Sequence, residues 1–460
     1  MKAEEYLKKL TDQIRCAKAR AAIAEEMLGH IDEQKHAYIS QGMDAEEAEE
    51  AAVKEMGDPV EAGSLLDSIH RPRMAWRMIG LIGALSIAGF IILNLLQRNF
   101  SDMTFVVGSA IHYGGWVVAG FVLMIGVCYT DYSRIGRWAK EIMLGAFIVL
   151  FLGVTAFGTA VNGSVTVIYG YHVNVKMLVF LFVPLYGAVL CRYRGEGKRA
   201  VVKGLLWMAP ALLIALKIPS LEAVLILFLA FMAVLSVAIY KNWFCVSRKA
   251  ALGILWLSAL LIPILFCLRL LGSGPAYQRS RLQAMLHPGE AAKGSQIYAI
   301  RQLLSDSRLL GNGNRGYVKA ARLPDGSDYV LGCVASCYGI LIAVLLVTLM
   351  TVLFLYFLKV SLKQKNQLGQ IIGYGCVMIL ALETAWNLML NFGLVFMSTA
   401  GLPFFTYGGY HTMAVYGLLG ILLSIYRYQD LIWEKNPEKE DYNVLARLGR
   451  YRIRIEKMDV

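Results

Sequence analysis

The chain has 460 residues, 57% hydrophobic and 17% charged, with a mean hydropathy of +0.54. Soluble domains run nearer half apolar and a quarter charged, so a wholly soluble fold is excluded. The net charge of +12 is uneven, near −6 over residues 1–73 and near +18 over the rest; no nucleic-acid motif accompanies it, and a basic excess of this kind belongs to loops at a membrane surface.

In residues 3–70, Leu7, Leu10, Ile14, Ala17, Ala21, Ala24, Met27, Leu28 and Ile31 recur at helical spacing between charges, which predicts a compact helical bundle. Gly42-Met43-Asp44 breaks the pattern, and Asp44 is placed to cap the acidic helix that follows, before Gly57-Asp58-Pro59 stops it. The run from Gly42 to Pro59 resembles the small prefix domain, sometimes called HAAS, found ahead of many Firmicute-type permeases and sensors. This segment is too polar for a cleavable signal peptide, so insertion is expected to start at the first span.

Ten apolar runs follow, each near the 17–25 residues needed to cross a bilayer: 76–97, 104–129, 138–160, 174–191, 203–218, 221–240, 250–271, 329–358, 370–397 and 410–427. With residues 1–73 cytoplasmic, the inner loops carry Arg134, Arg137 and Lys140, then Arg192, Arg194, Lys198, Arg199 and Lys203, then Lys241, Arg248 and Lys249, then Lys359, Lys363 and Lys365. The outer loops 161–173 and 398–409 carry no Lys or Arg, which is the positive-inside asymmetry. The expected fold is therefore all-α: a polytopic membrane protein over 75–430, with both termini cytoplasmic and a basic tail over 431–460 that reads as a surface helix.

Residues 272–328, between spans seven and eight, form the one long outer loop. Leu282, Met285, Leu286, Ile297, Tyr298, Leu303 and Leu304 predict amphipathic helices lying on the membrane surface, and a loop of this length points to function outside the cell. At its end, Asp328 stands where water-facing loop meets apolar helix. It reads either as the cap of span eight or as a partly desolvated carboxylate suited to general-base work. The eight cysteines include none in the loops placed outside, so no disulfide framework is expected, and Cys333 and Cys337, four apart without a nearby His, read as helix filling rather than a metal site.

Three segments carry a family resemblance: Tyr277 to Pro288 with Arg279 and Arg281, Leu309 to Gly313, and Leu323 to Leu331. They look like the large outer loop of the SEDS family, the FtsW/RodA/SpoVE-type proteins, with its Y-x-x-R, G-x-G and L-P-E-x-H-T-D-F motifs. Asn391 to Gly409, and above all Gly401-Leu402-Pro403 with Tyr407-Gly408-Gly409, is similar to the family's last motif. The resemblance implies a peptidoglycan glycosyltransferase that polymerises lipid II at the outer face of the cytoplasmic membrane. Asp328 then matches the family's essential aspartate, taking the proton of the acceptor 4-hydroxyl. Arg279 and Arg281 are candidates for the pyrophosphate, or else cations touching headgroups. Lys176, Gly311, Gly313, Pro403, Tyr407, Gly408 and Gly409 complete the expected substrate site, with Mg or Mn as a possible cation and a class B penicillin-binding protein as partner.

The departures are specific. The family's Q-P-S-E-x-x-K is reduced to Tyr171-His172-Val173-Asn174-Val175-Lys176, P-D-L-G-T reads Pro219-Ser220-Leu221-Glu222-Ala223, the acidic pair of span eight reads Ser336-Cys337, and S-Y-G-G-S-S reads Thr406-Tyr407-Gly408-Gly409-Tyr410-His411. Lys176 is read as functional or as snorkelling to the outer edge. Glu383, in mid-span, needs an interior partner, for which Lys176 is the candidate, while His172 and His411 read as outer-edge residues. Two other functions remain open: a weakened homologue that regulates or scaffolds a synthase, and a transporter of lipid-linked precursors.

Overall fold

The computed structural model describes residues 1–69, 71–99, 110–161, 164–168, 171–172, 175–218, 221–273, 296–313, 328–395, 401–429, 444–448 and 451–454. The chain divides into two compact units, Met1–Met74 with Gln364–Gln367 and Tyr426–Val460, and Ala75–Lys363 with Leu368–Ile425.

In the first unit, α1 (Ala3–Asp12), α2 (Ala17–Ser40), α3 (Ala45–Glu55) and α4 (Pro59–Ile69) enclose Tyr6, Leu10, Ile14, Ile23, Ile31, Ala52 and Val53. Asp44 caps α3 by accepting from the Glu46 backbone N–H at 3.3 Å. The tail departs from expectation: its described residues form a β-hairpin rather than a helix, with Val444–Leu448 antiparallel to Tyr451–Arg454. The cause is legible in retrospect, because Arg450, Arg452 and Arg454 alternate with Tyr451 and Ile453 at the strand period of two.

Among its described residues the second unit is helical apart from one small sheet. Its elements are α5 (Trp76–Asn99), α6 (Ala110–Tyr129), α7 (Tyr132–Arg137), α8 (Ala139–Ala156), α9 (Val175–Phe180), α10 (Phe182–Cys191), α11 (Lys198–Lys217) and α12 (Leu221–Tyr240). They continue as α13 (Arg248–Ser273), α14 (Gln296–Ser305), α15 (Val330–Cys337), α16 (Ile340–Leu362), α17 (Gln367–Asn391) and α18 (Gly409–Arg427). Among the described residues eight helices are long and apolar enough to cross a membrane, and Val175–Cys191 is a shorter apolar stretch. Exposed Val118, Val122, Leu206, Ile254 and Leu257 give these helices an apolar outer face, which only lipid can cover at this scale. The chain is a polytopic membrane protein.

Three spans differ from their sequence outlines. The run 138–160 ends early as helix, because Gly158–Val161 pairs with Ser164–Ile168 and that strand with Tyr171–His172. The run 174–191 breaks at Leu181, and 329–358 breaks at Tyr338-Gly339. α14 is a helix as expected, but Ile297, Ile300 and Leu303 are buried; Ile300 and Leu303 meet Gly332 of α15, so this amphipathic face lies on protein rather than on the membrane surface.

Candidate functional site

α17 is the most informative helix. It is apolar by composition, yet it buries Glu383, Asn387 and Asn391, spaced four apart and therefore stacked on one face. A polar stripe inside an apolar bundle persists only where each group has work to do.

Two of these groups hold Asp328. Its backbone oxygen accepts from Asn387 Nδ2 at 3.1 Å and from Asn391 Nδ2 at 3.2 Å. Asn391 Nδ2 also donates to Asn387 Oδ1 at 2.9 Å, while Asn391 Oδ1 accepts from the Gly332 N–H at 2.8 Å. The clamp satisfies the carbonyl and one of the orphan N–H groups at the start of α15. Asp328 is 7% exposed, and it is not the cap of α15: that position belongs to Tyr329, without a side-chain cap.

The far end of α15 is fixed as well. Gly311 N–H donates to Tyr338 O and Gly313 N–H to Ser336 O, both at 3.0 Å, while Ile340 N–H and Leu341 N–H donate back to Arg308 O and Leu309 O. The break at Gly339 is stabilised by this exchange; its φ of +113° and the closeness of Leu309 O, 2.7 Å from where a Cβ would stand, admit only glycine. Gly311 and Gly313 thus pin the segment after α14 to the interrupted span. Arg301 of α14 adds a bond to Gly393 O at 3.0 Å, just past α17.

The remaining member of the stripe faces elsewhere. Glu383 Oε1 lies 3.3 Å from His411 Nε2, and the two side chains are 3% and 4% exposed. The distance suits an ion pair, while the angles fall outside hydrogen-bond geometry, leaving both atoms without a hydrogen-bond partner among the described residues. Two expectations are corrected here. His411 is interior, because the chain turns inward before α18, and the partner of Glu383 is His411, not Lys176.

Lys176 instead reaches Glu222 of α12, with Nζ 3.0 Å from Oε1 and both side chains about 5% exposed. It is therefore an interior cation balanced by a carboxylate, not a snorkelling one. Glu222 stands in the first turn of α12, where the helix N-terminus favours negative charge.

Residues 401–408 are irregular, as the glycines and Pro403 lead one to expect. Leu402, Pro403, Phe404, Phe405 and Thr406 are buried; the Leu402 N–H donates to Thr406 Oγ1 at 2.6 Å. Phe404 is held at φ +69°, a strained angle for a bulky residue, by Tyr113 Oη–H donating to its carbonyl oxygen. Gly401 abuts His411 Nε2 and Gly409 abuts Trp116, while Tyr407 stands 6.1 Å, ring to ring, from Tyr113. The expected site residues Arg279 and Arg281 lie outside the described residues. Asn387, Arg301 and the pairing of Glu222 were missed, although the spacing of Glu383, Asn387 and Asn391 was a readable signal.

Among the described residues no three His, Cys, Asp or Glu side chains gather in a way that could hold a metal ion.

Residues 73–431 match the FtsW/RodA/SpoVE family model, described as cell cycle protein. The chain belongs to that family. It is similar to the probable peptidoglycan glycosyltransferase FtsW of Geobacter sulfurreducens, 25% identical over 323 residues that cover 68% of this chain and 83% of that one. It is also similar to stage V sporulation protein E of Bacillus subtilis, 23% identical over 72% of this chain and 89% of that one. A shorter match, to the putative peptidoglycan glycosyltransferase FtsW of Mesostigma viride, is 28% identical over 32% of this chain and 37% of that one. Among solved structures, a chain from "Structural coordination of polymerization and crosslinking by a peptidoglycan synthase complex" superposes with a TM-score of 0.62 at 20% identity, covering 77% of this chain and 98% of that one. The rod shape determining protein RodA of Thermus thermophilus gives 0.54 at 17%, covering 77% and 97%. At these identities the superpositions speak for the fold.

Proposed function

We propose that this protein is a peptidoglycan glycosyltransferase that polymerises lipid II at the outer face of the cytoplasmic membrane. The observation that carries the reading is Asp328, buried at the head of α15 with its main chain clamped by Asn387 and Asn391. A carboxylate so held keeps its position through a reaction cycle, as a general base requires.

In the proposed step Asp328 takes the proton of the acceptor sugar's 4-hydroxyl. That oxygen forms a bond to the anomeric carbon of the donor, whose bond to phosphate breaks, and undecaprenyl pyrophosphate leaves with the electron pair. Arg279 and Arg281 are proposed to meet the leaving charge, joined by a divalent cation brought with the substrate phosphates. The buried 401–406 turn is proposed as one wall of the lipid site, with Gly311 and Gly313 supporting the loop beside it.

The reading includes ten spans: the eight long ones, Val175–Cys191, and Arg248–Ser273. It sets both termini in the cytoplasm, on the charge asymmetry of the loops, with residues 1–73 as a HAAS-like prefix and 272–328 as the large outer loop. A class B penicillin-binding protein is the proposed partner, by analogy with the synthase complex that shares the fold.

The test is lipid II polymerisation by purified protein, wild type beside Asp328→Asn, with and without a divalent cation and the transpeptidase. Glycan chains from wild type that vanish in the variant support the enzyme and its base. A folded wild type that binds the transpeptidase but makes no chains would instead establish a regulatory homologue.

A further inference from the structure

At the junction of α7 and α8 the chain forms a groove of about 440 Å³, lined by Arg134, Ile135, Trp138, Glu141 and Ile142. Its chemistry is divided. Trp138 and Ile142 are exposed, at 57% and 43%, on the first turn of a membrane-spanning helix. Arg134 lines the other edge, Arg137 stands one turn further along α7 outside the lining, both are exposed, and among the described residues neither guanidinium has an ion-pair partner.

The corner that carries these groups is built rather than loose. Asp131 caps α7 through the Ser133 N–H at 2.9 Å, and Tyr132 and Gly136 are buried beneath it against Gly369 and Leu368. Arg192 donates to the Arg137 carbonyl oxygen, and its other nitrogen lies 3.6 Å from Glu141, so the one acidic residue in the groove is already countered. Behind it, Lys140 lies over the Tyr193 ring at 4.1 Å and Lys203 at 4.9 Å, adding positive charge.

An exposed Trp and Ile beside two uncompensated guanidiniums match one kind of ligand: a molecule with an anionic phosphate head and an aliphatic chain. We propose that this groove binds a single anionic phospholipid of the inner leaflet, its phosphate on Arg134 and Arg137 and one acyl chain along Ile135, Trp138 and Ile142. The proposal rests on the cytoplasmic placement of residues 130–142, not on the polymerase activity. The volume lies within the range of small-ligand sites, about 300–1,000 Å³, which fits one headgroup with the start of one chain. Such a lipid ties the ends of α7 and α8 to the composition of the membrane.

The test uses the full-length protein in nanodiscs of phosphatidylcholine containing one fifth phosphatidylglycerol. Native mass spectrometry after release counts retained lipid for wild type, Arg134→Gln/Arg137→Gln, Trp138→Ala, and Lys198→Gln/Arg199→Gln at the next inner loop. One retained phosphatidylglycerol in wild type is expected, weakened roughly fivefold for each cation removed in the first variant. Weakening is expected in Trp138→Ala too, with none at Lys198 and Arg199. Equal loss from both arginine-containing variants would reduce the groove to diffuse surface charge. Equal retention of phosphatidylcholine would overturn the anionic preference, and dimers that depend on Trp138 without bound lipid would make the groove a protein interface. Melting of each variant in neutral detergent separates loss of the site from loss of the fold.

Discussion

Glu383 and His411 face one another across α17 and α18 at 3.3 Å, each almost fully enclosed, in a chain where the family motif carries serine at the histidine position. A lone charge at that depth is far costlier than a pair. Either residue alone is therefore a liability, and the two stand or fall together.

Glu383→Gln or His411→Gln alone should lower stability by roughly 3–5 kcal/mol, the cost of breaking a buried pair. The double variant should recover much of that loss, since no uncompensated charge remains. Thermal unfolding of the four proteins in nanodiscs closes the cycle. Strictly additive losses would show that the two side chains do not interact.

Asn391→Leu removes a donor from the Asp328 carbonyl and an acceptor from the Gly332 N–H. The Asp328 carbonyl keeps Asn387, and the Gly332 N–H left unpaired should cost about 1–3 kcal/mol. Hydrogen exchange across 328–337 should rise, and polymerisation should fall even though Asp328 is intact. Exchange unchanged from wild type would mean that Asn387 suffices.

Gly89 lies directly under the Phe404 carbonyl, which is backbone and cannot swing aside. Gly89→Ala should displace the 401–406 turn and destabilise by about 1–3 kcal/mol. The protease sensitivity of the Gly401–Gly409 segment reads the displacement, and Gly80→Ala, which meets open space, is the matched control.

Acid should loosen the first unit. The Lys35 ammonium and the Ala3 N–H, both hydrogen-bonded to Glu49, hold its carboxyl below the ordinary 4.5. The stabilisation is complete above that value and disappears as pH falls through the lower folded value. Lys35 is raised above 10.5 by the same bond, so its share is lost only as pH rises through its folded value. The protection of α3 amides in the full chain, taken relative to the intrinsic exchange rate at each pH, should therefore be lower at pH 3 than at pH 7. Lys35→Met should narrow that difference; an unchanged difference would assign the acid effect elsewhere.

Much of this arrangement was written in the order of residues. Apolar run lengths mark the spanning helices, because they follow from the bilayer alone. Asp44 as a cap was legible because it acts on its own helix. What stayed hidden depends on which helices meet. Lys176 and Glu222 are 46 positions apart, and nothing in either neighbourhood names the other. His411 reads as an edge residue by position and is interior because residues 401–406 turn inward. The breaks at Leu181 and Gly339 were masked by unbroken hydrophobicity, which reports burial rather than backbone continuity.

The exchange of backbone bonds between residues 308–313 and 336–341 has a mechanical consequence. α15 is a rod of eight residues, about 12 Å long, gripped at one end by residues 308–313 and carrying Asp328 at the other. Anything that takes hold of that segment holds a lever, and the far tip of the lever is the carboxylate.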